Sequence, residues 1–160
     1  VVVGRGCLGR PWLFGDLQKA FDEYRRDPNS NAAIDLIQPN LGQVADAFKR
    51  HAELLVEYFE NEEHACRDIR KHVAWYFKGY PVGGDFRAKL AQVQSLEHMD
   101  EILGELDRSL PYPGEGAEGP RGRLGGVKSC SLPDRWLESR ELLGDDRTML
   151  LDAELNVSGG

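Results

Sequence analysis

The sequence predicts a mainly α-helical chain: a strand–turn–helix unit at its start, a small helical bundle after it, and an irregular C-terminal tail. Three observations carry that prediction. Val1 to Val3 run into a glycine-rich turn, Gly4 to Gly9, and an apolar periodic stretch follows. From Leu41 to about Asn61 the apolar residues recur at helical spacing. After Leu110 the period dissolves into glycine, proline and charge.

Taken in order, Val1 to Val3 read as the end of a strand. An unbroken β-branched run fits a strand buried on both faces, as in a parallel sheet. Pro11 suits the first position of a helix, where its missing N–H costs nothing. That helix runs to about Arg25, with Leu13, Leu17, Phe21 and Tyr24 on one side, and Asp27-Pro28-Asn29-Ser30-Asn31 breaks it. In the next helix Leu41, Val44, Ala45, Phe48, Ala52, Leu55, Val56 and Phe59 form one stripe, opposite Lys49, Arg50, Glu53, Glu57 and Glu60. A third helix spans about Glu63 to Phe77 and stops at Lys78-Gly79-Tyr80-Pro81. A short helix follows around Phe86 to Gln92. Ser95 then caps a last helix with Leu96, Met99, Leu103, Leu106 and Leu110 as its stripe. Residues 111–160 read as an extended or disordered tail of net charge −3, with Leu132-Pro133-Asp134-Arg135-Trp136-Leu137 as its docking segment.

At 160 residues and 41% hydrophobic content the chain can build a core. A net charge of −7 argues against a protein that coats nucleic acid generally. Yet between Arg67 and Lys89 six cationic residues face only Asp68 and Asp85. Cys7, Cys66 and Cys130 form no paired motif, so neither a disulfide framework nor a structural metal site is expected. No stretch reads as a signal peptide or a membrane span, and a reducing cytoplasm is the expected setting. The chain lacks an initiator Met and starts inside an apparent strand, which reads as a fragment.

The turn spells Gly4-x-Gly6-x-x-Gly9. Backbone N–H groups delivered to a helix N-terminus make a natural phosphate site. A dinucleotide fold further requires a second strand with an acidic residue about twenty positions on. Here Asp27 to Asn31 and then helices follow instead. Two readings stay open on spacing alone: a tight structural turn without ligand, and the last βα loop of a TIM barrel, where a cofactor phosphate is held.

The third helix carries its own signal. On a wheel of 100° per residue, Ala65, Cys66, Ile69, Val73, Tyr76 and Phe77 share one side. His64, Arg67, Lys71, Trp75 and Lys78 share the other, a stripe ~20 Å long. Such a stripe suits a phosphate backbone, with the indole free to stack. Arg70 and His72 flank it, and Arg87 and Lys89 extend it. The alternatives are a solvated face paired with Glu60, Glu62, Glu63 or Asp68, and packing of Trp75 on a neighbouring barrel. His51, His64, His72 and His98 show no metal-ligand spacing.

Two blocks carry a resemblance. Val3-Gly4-Arg5-Gly6-Cys7-Leu8-Gly9-Arg10-Pro11-Trp12-Leu13-Phe14 resembles the end of the flavin barrel in bacterial tRNA-dihydrouridine synthases. Arg70-Lys71-His72-Val73-Ala74-Trp75-Tyr76-Phe77-Lys78-Gly79-Tyr80-Pro81 resembles the RKH-x-x-W-Y-x-K-G block of the family's C-terminal helical domain. Their order and separation fit, and together they cover residues 1 to about 110. The stretch from Ser129 to Gly160 looks like extensions of some actinobacterial members.

The resemblance implies an FMN enzyme, with NADPH as final electron source, that reduces the C5–C6 bond of uridines in tRNA. It implies residues 1–27 as the end of an α/β TIM barrel, 28–110 as a helical tRNA-binding domain and 111–160 as the tail. It implies the backbone of Gly4, Arg5 and Gly6 around the FMN phosphate, and Arg67, Arg70, Lys71, His72, Trp75, Lys78 and Arg87 toward tRNA. It implies no metal and no membrane, and a monomer at full length. The family's catalytic cysteine belongs to an earlier barrel loop. Cys7 sits in the phosphate turn and is not assigned that role, so no catalytic residue is expected here and the fragment alone is expected to be inactive. The competing readings are a stand-alone RNA-binding helical module and another FMN barrel acting on a small molecule.

Overall fold

Helix α2 (Leu41–Phe59) is the element around which the others are arranged. The computed structural model describes residues 2–118 and 121. In chain order α1 is Leu13–Arg26, α3 Glu62–Ile69, α4 Val73–Tyr76, α5 Gly83–Leu90, α6 Leu96–Gly104 and α7 Glu115–Glu118. Short 3₁₀ turns cover Arg5–Cys7 and Arg70–His72.

The start of α2 is fixed by its sequence. Asn40 accepts from the Gln43 N–H at 2.9 Å, and the Gln43 side chain accepts from the Asn40 N–H at 2.9 Å. This reciprocal box satisfies two donors that a helix start otherwise leaves bare. The expected stripe is the buried one: Leu41, Val44, Ala45, Phe48 and Ala52 are all excluded from solvent. They meet Cys66, Ile69, Val73 and Phe77 in one core, closed by Phe86, Leu90, Val93, Met99 and Ile102. Phe48 makes edge contacts with Tyr76 and Phe77, at centroid distances of 5.3 and 5.5 Å. Each such buried ring contributes ~2–3 kcal/mol from area alone. Ser95 caps α6 as expected, accepting from the His98 N–H at 3.1 Å.

Four expectations are corrected. Val2 and Val3 form no strand, and none occurs among the described residues. A strand needs a ladder partner, and nothing among these residues supplies one; Val1 lies outside them. The third helix is not continuous, because the 3₁₀ turn at Arg70–His72 separates α3 from α4. A 3₁₀ turn advances 120° per residue, so a constant wheel is wrong by roughly 60° beyond it. The buried side survives this shift; the polar side does not, and Trp75 and Lys78 are half-buried. The last helix ends at Gly104, not Leu110. Leu106 and Leu110 still reach the core, from a loop that accepts the Leu41 and Gly42 N–H groups on Leu110 O and Arg108 O.

The fourth correction concerns the tail. Residues 111–118 and Arg121 pack on the helices. Ala117 is buried, Tyr112 leans on the core, and the backbones of Gly79 and Gly116 meet so closely that a Cβ on Gly79 would lie 2.6 Å from the Gly116 carbonyl carbon. The described residues, 2–118 and 121, fall in one compact unit. The Leu132–Leu137 docking segment and Cys130 lie outside the described residues. The apolar side of α1 stays open, with Phe14, Phe21 and Tyr24 exposed; the buried residue of that helix is Asp16, which accepts the Ile37 N–H at 2.7 Å.

Candidate functional site

The glycine turn is open on one side and pinned on the other. Gly4, Arg5 and Gly6 are exposed. A Cβ on Gly4 would meet nothing within 4 Å, and one on Gly6 only Val3 at 3.8 Å. The first N–H groups of a helical turn find no partner inside it, so this stretch offers bare donors over open space. Gly9 is the opposite case. It holds φ of +63°, and a Cβ there would stand 2.3 Å from the Trp75 carbonyl carbon. Glycine is required on both counts. The turn is thereby seated on α4, which brings the two motif blocks into contact.

Between the turn and α2 lies an open groove of about 390 Å³. Leu8, Pro11 and Phe14 form one wall, Ala47 and Leu54 the other, and Arg50, His51, His72 and Tyr76 supply polar groups. The two imidazoles meet edge to face at 4.7 Å, and His72 meets Trp75 at 5.1 Å. Tyr76 Oη hydrogen-bonds His51 Nδ1 at 3.2 Å. Burial lowers the pKa of both histidines, and for His72 the neighbouring His51 adds to it. Burial likewise pushes Tyr76 up to about 12, so it stays a phenol. Cys7 borders the groove with its thiol donating to Gly4 O at 3.1 Å.

The cationic residues divide into two kinds. Arg67 and Lys71 are exposed and ion-paired locally, with Glu63 and with Asp68 at 2.7 Å. Exposed pairs of this kind are weak, so either cation can exchange its carboxylate for another anion. Arg70 and Arg87 point inward instead. Arg70 donates Nε and a terminal N–H to Val93 O at 2.8 and 2.6 Å. Arg87 donates to Phe77 O and Tyr80 O at 2.8 and 3.1 Å, closing the end of α4. These two hold the frame that carries the others. Lys89 pairs with Glu105.

Sequence reasoning did not find the strap behind the turn. Arg10 pairs with Glu118 at 2.8 Å, Tyr112 hydrogen-bonds Glu118, and Arg121 donates to Trp75 O at 2.5 Å and Ala117 O at 2.6 Å. Burial first, then Arg10, lowers the Arg121 pKa. The signal available was the Tyr112–Glu118 stretch, whose glycines and prolines read as tail. His51 was the other omission: it falls between the polar and apolar sides of α2. Among the described residues no group of three or more His, Cys, Asp or Glu can hold a metal ion, and no helix is long and apolar enough to cross a membrane.

The sequence that carries the turn and these helices belongs to a known class. Residues 1–109 match the family model described as dihydrouridine synthase, and the chain belongs to that family. Over all 160 residues it is 45% identical to a "Probable tRNA-dihydrouridine synthase" of Mycobacterium leprae, covering 38% of that protein. It is 46% identical to the protein of the same name from Mycobacterium tuberculosis, covering 37% of it. Over 97 residues, 61% of this chain and 26% of the relative, it is 32% identical to "tRNA-dihydrouridine synthase B" of Xanthomonas campestris. The chain thus spans less than two fifths of the length of these relatives. No solved structure matches it.

Proposed function

We propose that this chain supplies the cofactor-phosphate turn and the tRNA-gripping helices of a flavin-dependent tRNA-dihydrouridine synthase, which reduces uridine to 5,6-dihydrouridine in tRNA with NADPH as electron donor. The observation that carries the reading is the seating of Gly9 on Trp75 and Tyr76, which joins the turn to the Arg70–Pro81 block. Residues 1–27 then belong to the barrel and 28–110 to the tRNA-binding helices, in a cytoplasmic, monomeric enzyme.

The open backbone at Gly4, Arg5 and Gly6 fits the FMN phosphate. Space above both glycines leaves room for close approach, and unpaired N–H groups suit an anion. When bound, the flavin supplies the hydride for the uracil ring. Arg67, Lys71 and Lys78 meet RNA phosphates, with Trp75 and His72 beside them. Arg70 and Arg87 act through the frame they hold.

The test is binding to unmodified tRNA across a salt series. The wild-type chain is expected to bind at low salt. Arg67→Ala, Lys71→Ala and Lys78→Ala should each flatten the log K against log salt slope by up to about one unit. A folded chain that fails to bind at low salt, or unchanged slopes in all three variants, overturns the reading.

A further inference from the structure

The groove between the glycine turn and α2 is not needed for a phosphate turn or for a phosphate-gripping stripe. We propose that it takes one unstacked base of the RNA, an inference that rests on the tRNA reading and deepens it. Three observations carry this. The groove's ~390 Å³ lies in the range of small-ligand sites. Its surfaces divide as a nucleobase does: apolar walls from Leu8, Pro11, Phe14, Ala47 and Leu54 suit a flat ring, and a polar end suits its hydrogen-bonding edge. And one lining residue is next in sequence to an exposed cation. His72 lines the groove, follows Lys71 in the chain and touches the Trp75 ring at 5.1 Å. Lys71 and Arg67 can exchange their carboxylates for RNA phosphates, and the Arg50 guanidinium in the groove lining suits a nucleotide better than an apolar peptide.

The histidines supply the edge chemistry. With Tyr76 Oη engaging His51 Nδ1, the other His51 nitrogen faces a base edge as donor or acceptor according to the ring's tautomer. No protein hydrogen bond engages the His72 ring among the described residues, so it offers one donor and one acceptor. Burial keeps both rings neutral at pH 7, which preserves that acceptor. The Arg50 guanidinium, held by Glu53 and Glu57, borders the same space.

The test compares fluorescently tagged hexauridylate with the same oligomer lacking its two central bases, on the 160-residue chain at low salt. Loss of the bases should weaken binding about tenfold or more. Phe14→Ser and Leu54→Ser remove groove walls at positions 54% and 45% exposed, so the core is untouched. Each should weaken hexauridylate about tenfold while leaving the abasic oligomer and the salt slope unchanged. Ala47→Phe, which fills the groove, should do the same. Equal binding of intact and abasic oligomers, or wild-type affinity in the folded Phe14 and Leu54 variants, overturns the proposal. So does UMP binding as tightly as hexauridylate, since the groove would then be a free-nucleotide site. If tRNA and hexauridylate bind without regard to the bases, the groove proposal falls and the tRNA reading stands. If neither binds at low salt, both fall.

Discussion

Gly9 and Gly4 stand five residues apart in one turn and differ in kind. Gly9 combines a left-handed φ of +63° with a backbone contact that leaves no room for a methyl group. Gly4 has nothing near it and φ of −87°. Gly9→Ala should therefore cost ~2–4 kcal/mol, from backbone strain and overpacking together. Gly4→Ala meets no neighbour and should cost less than Gly9→Ala. Urea denaturation of both variants checks this; equal midpoints would mean that the turn is not seated on α4. The spacing of the glycines was legible in the sequence, but their separate duties were not. A regular expression records which residue stands at a position and not what approaches it from sixty residues away.

At the scale of elements, α2 was the most legible part of the chain, because nineteen residues of steady period leave one way to bury the stripe. Its N-terminal box of Asn40 and Gln43 emerges only in the structure. Asn40→Ala should lower stability by ~1 kcal/mol and the melting temperature by roughly 4–8 °C. A thermal melt followed by circular dichroism tests it, and an unchanged Tm would show that the loop at Arg108–Leu110 alone secures that end. The block after α2 was legible only on its apolar side. Burial tolerates a change of helical pitch, since Ile69, Val73, Tyr76 and Phe77 reach the core by either winding. Exposure does not, so Trp75 and Lys78 are half-buried; Arg70 and Arg87, counted with the outward cations, turn instead to backbone carbonyls. The residues from Pro111 were misread for a related reason: a segment that packs through Gly116 and Ala117 shows neither apolar period nor bulk.

The whole molecule carries a titratable joint. His51 on α2 and His72 before α4 meet between the two blocks that enclose the core. Both have a folded-state pKa below the ordinary 6.5, mainly through burial. Asp68 opposes that shift in both, and Lys71 reinforces it at His72. The unfolded chain then binds more protons below pH 6.5 than the folded one. Stability is full above that pH and falls as pH drops through the lowered values, with a slope limit of ~1.4 kcal/mol per pH unit for each ring. Urea midpoints at pH 7.5 and 5.5 should differ in wild type and much less in His51→Gln/His72→Gln. A midpoint independent of pH over this window would place the rings in water.

One contact also constrains the order of events during synthesis. The turn at the start of the chain finds its seat only at Trp75 and Tyr76. Synthesis runs from the N-terminus, and domains generally fold as units. The nascent turn therefore stays unseated until α2, α3 and α4 have left the ribosome, and its final shape settles well after its own residues are made.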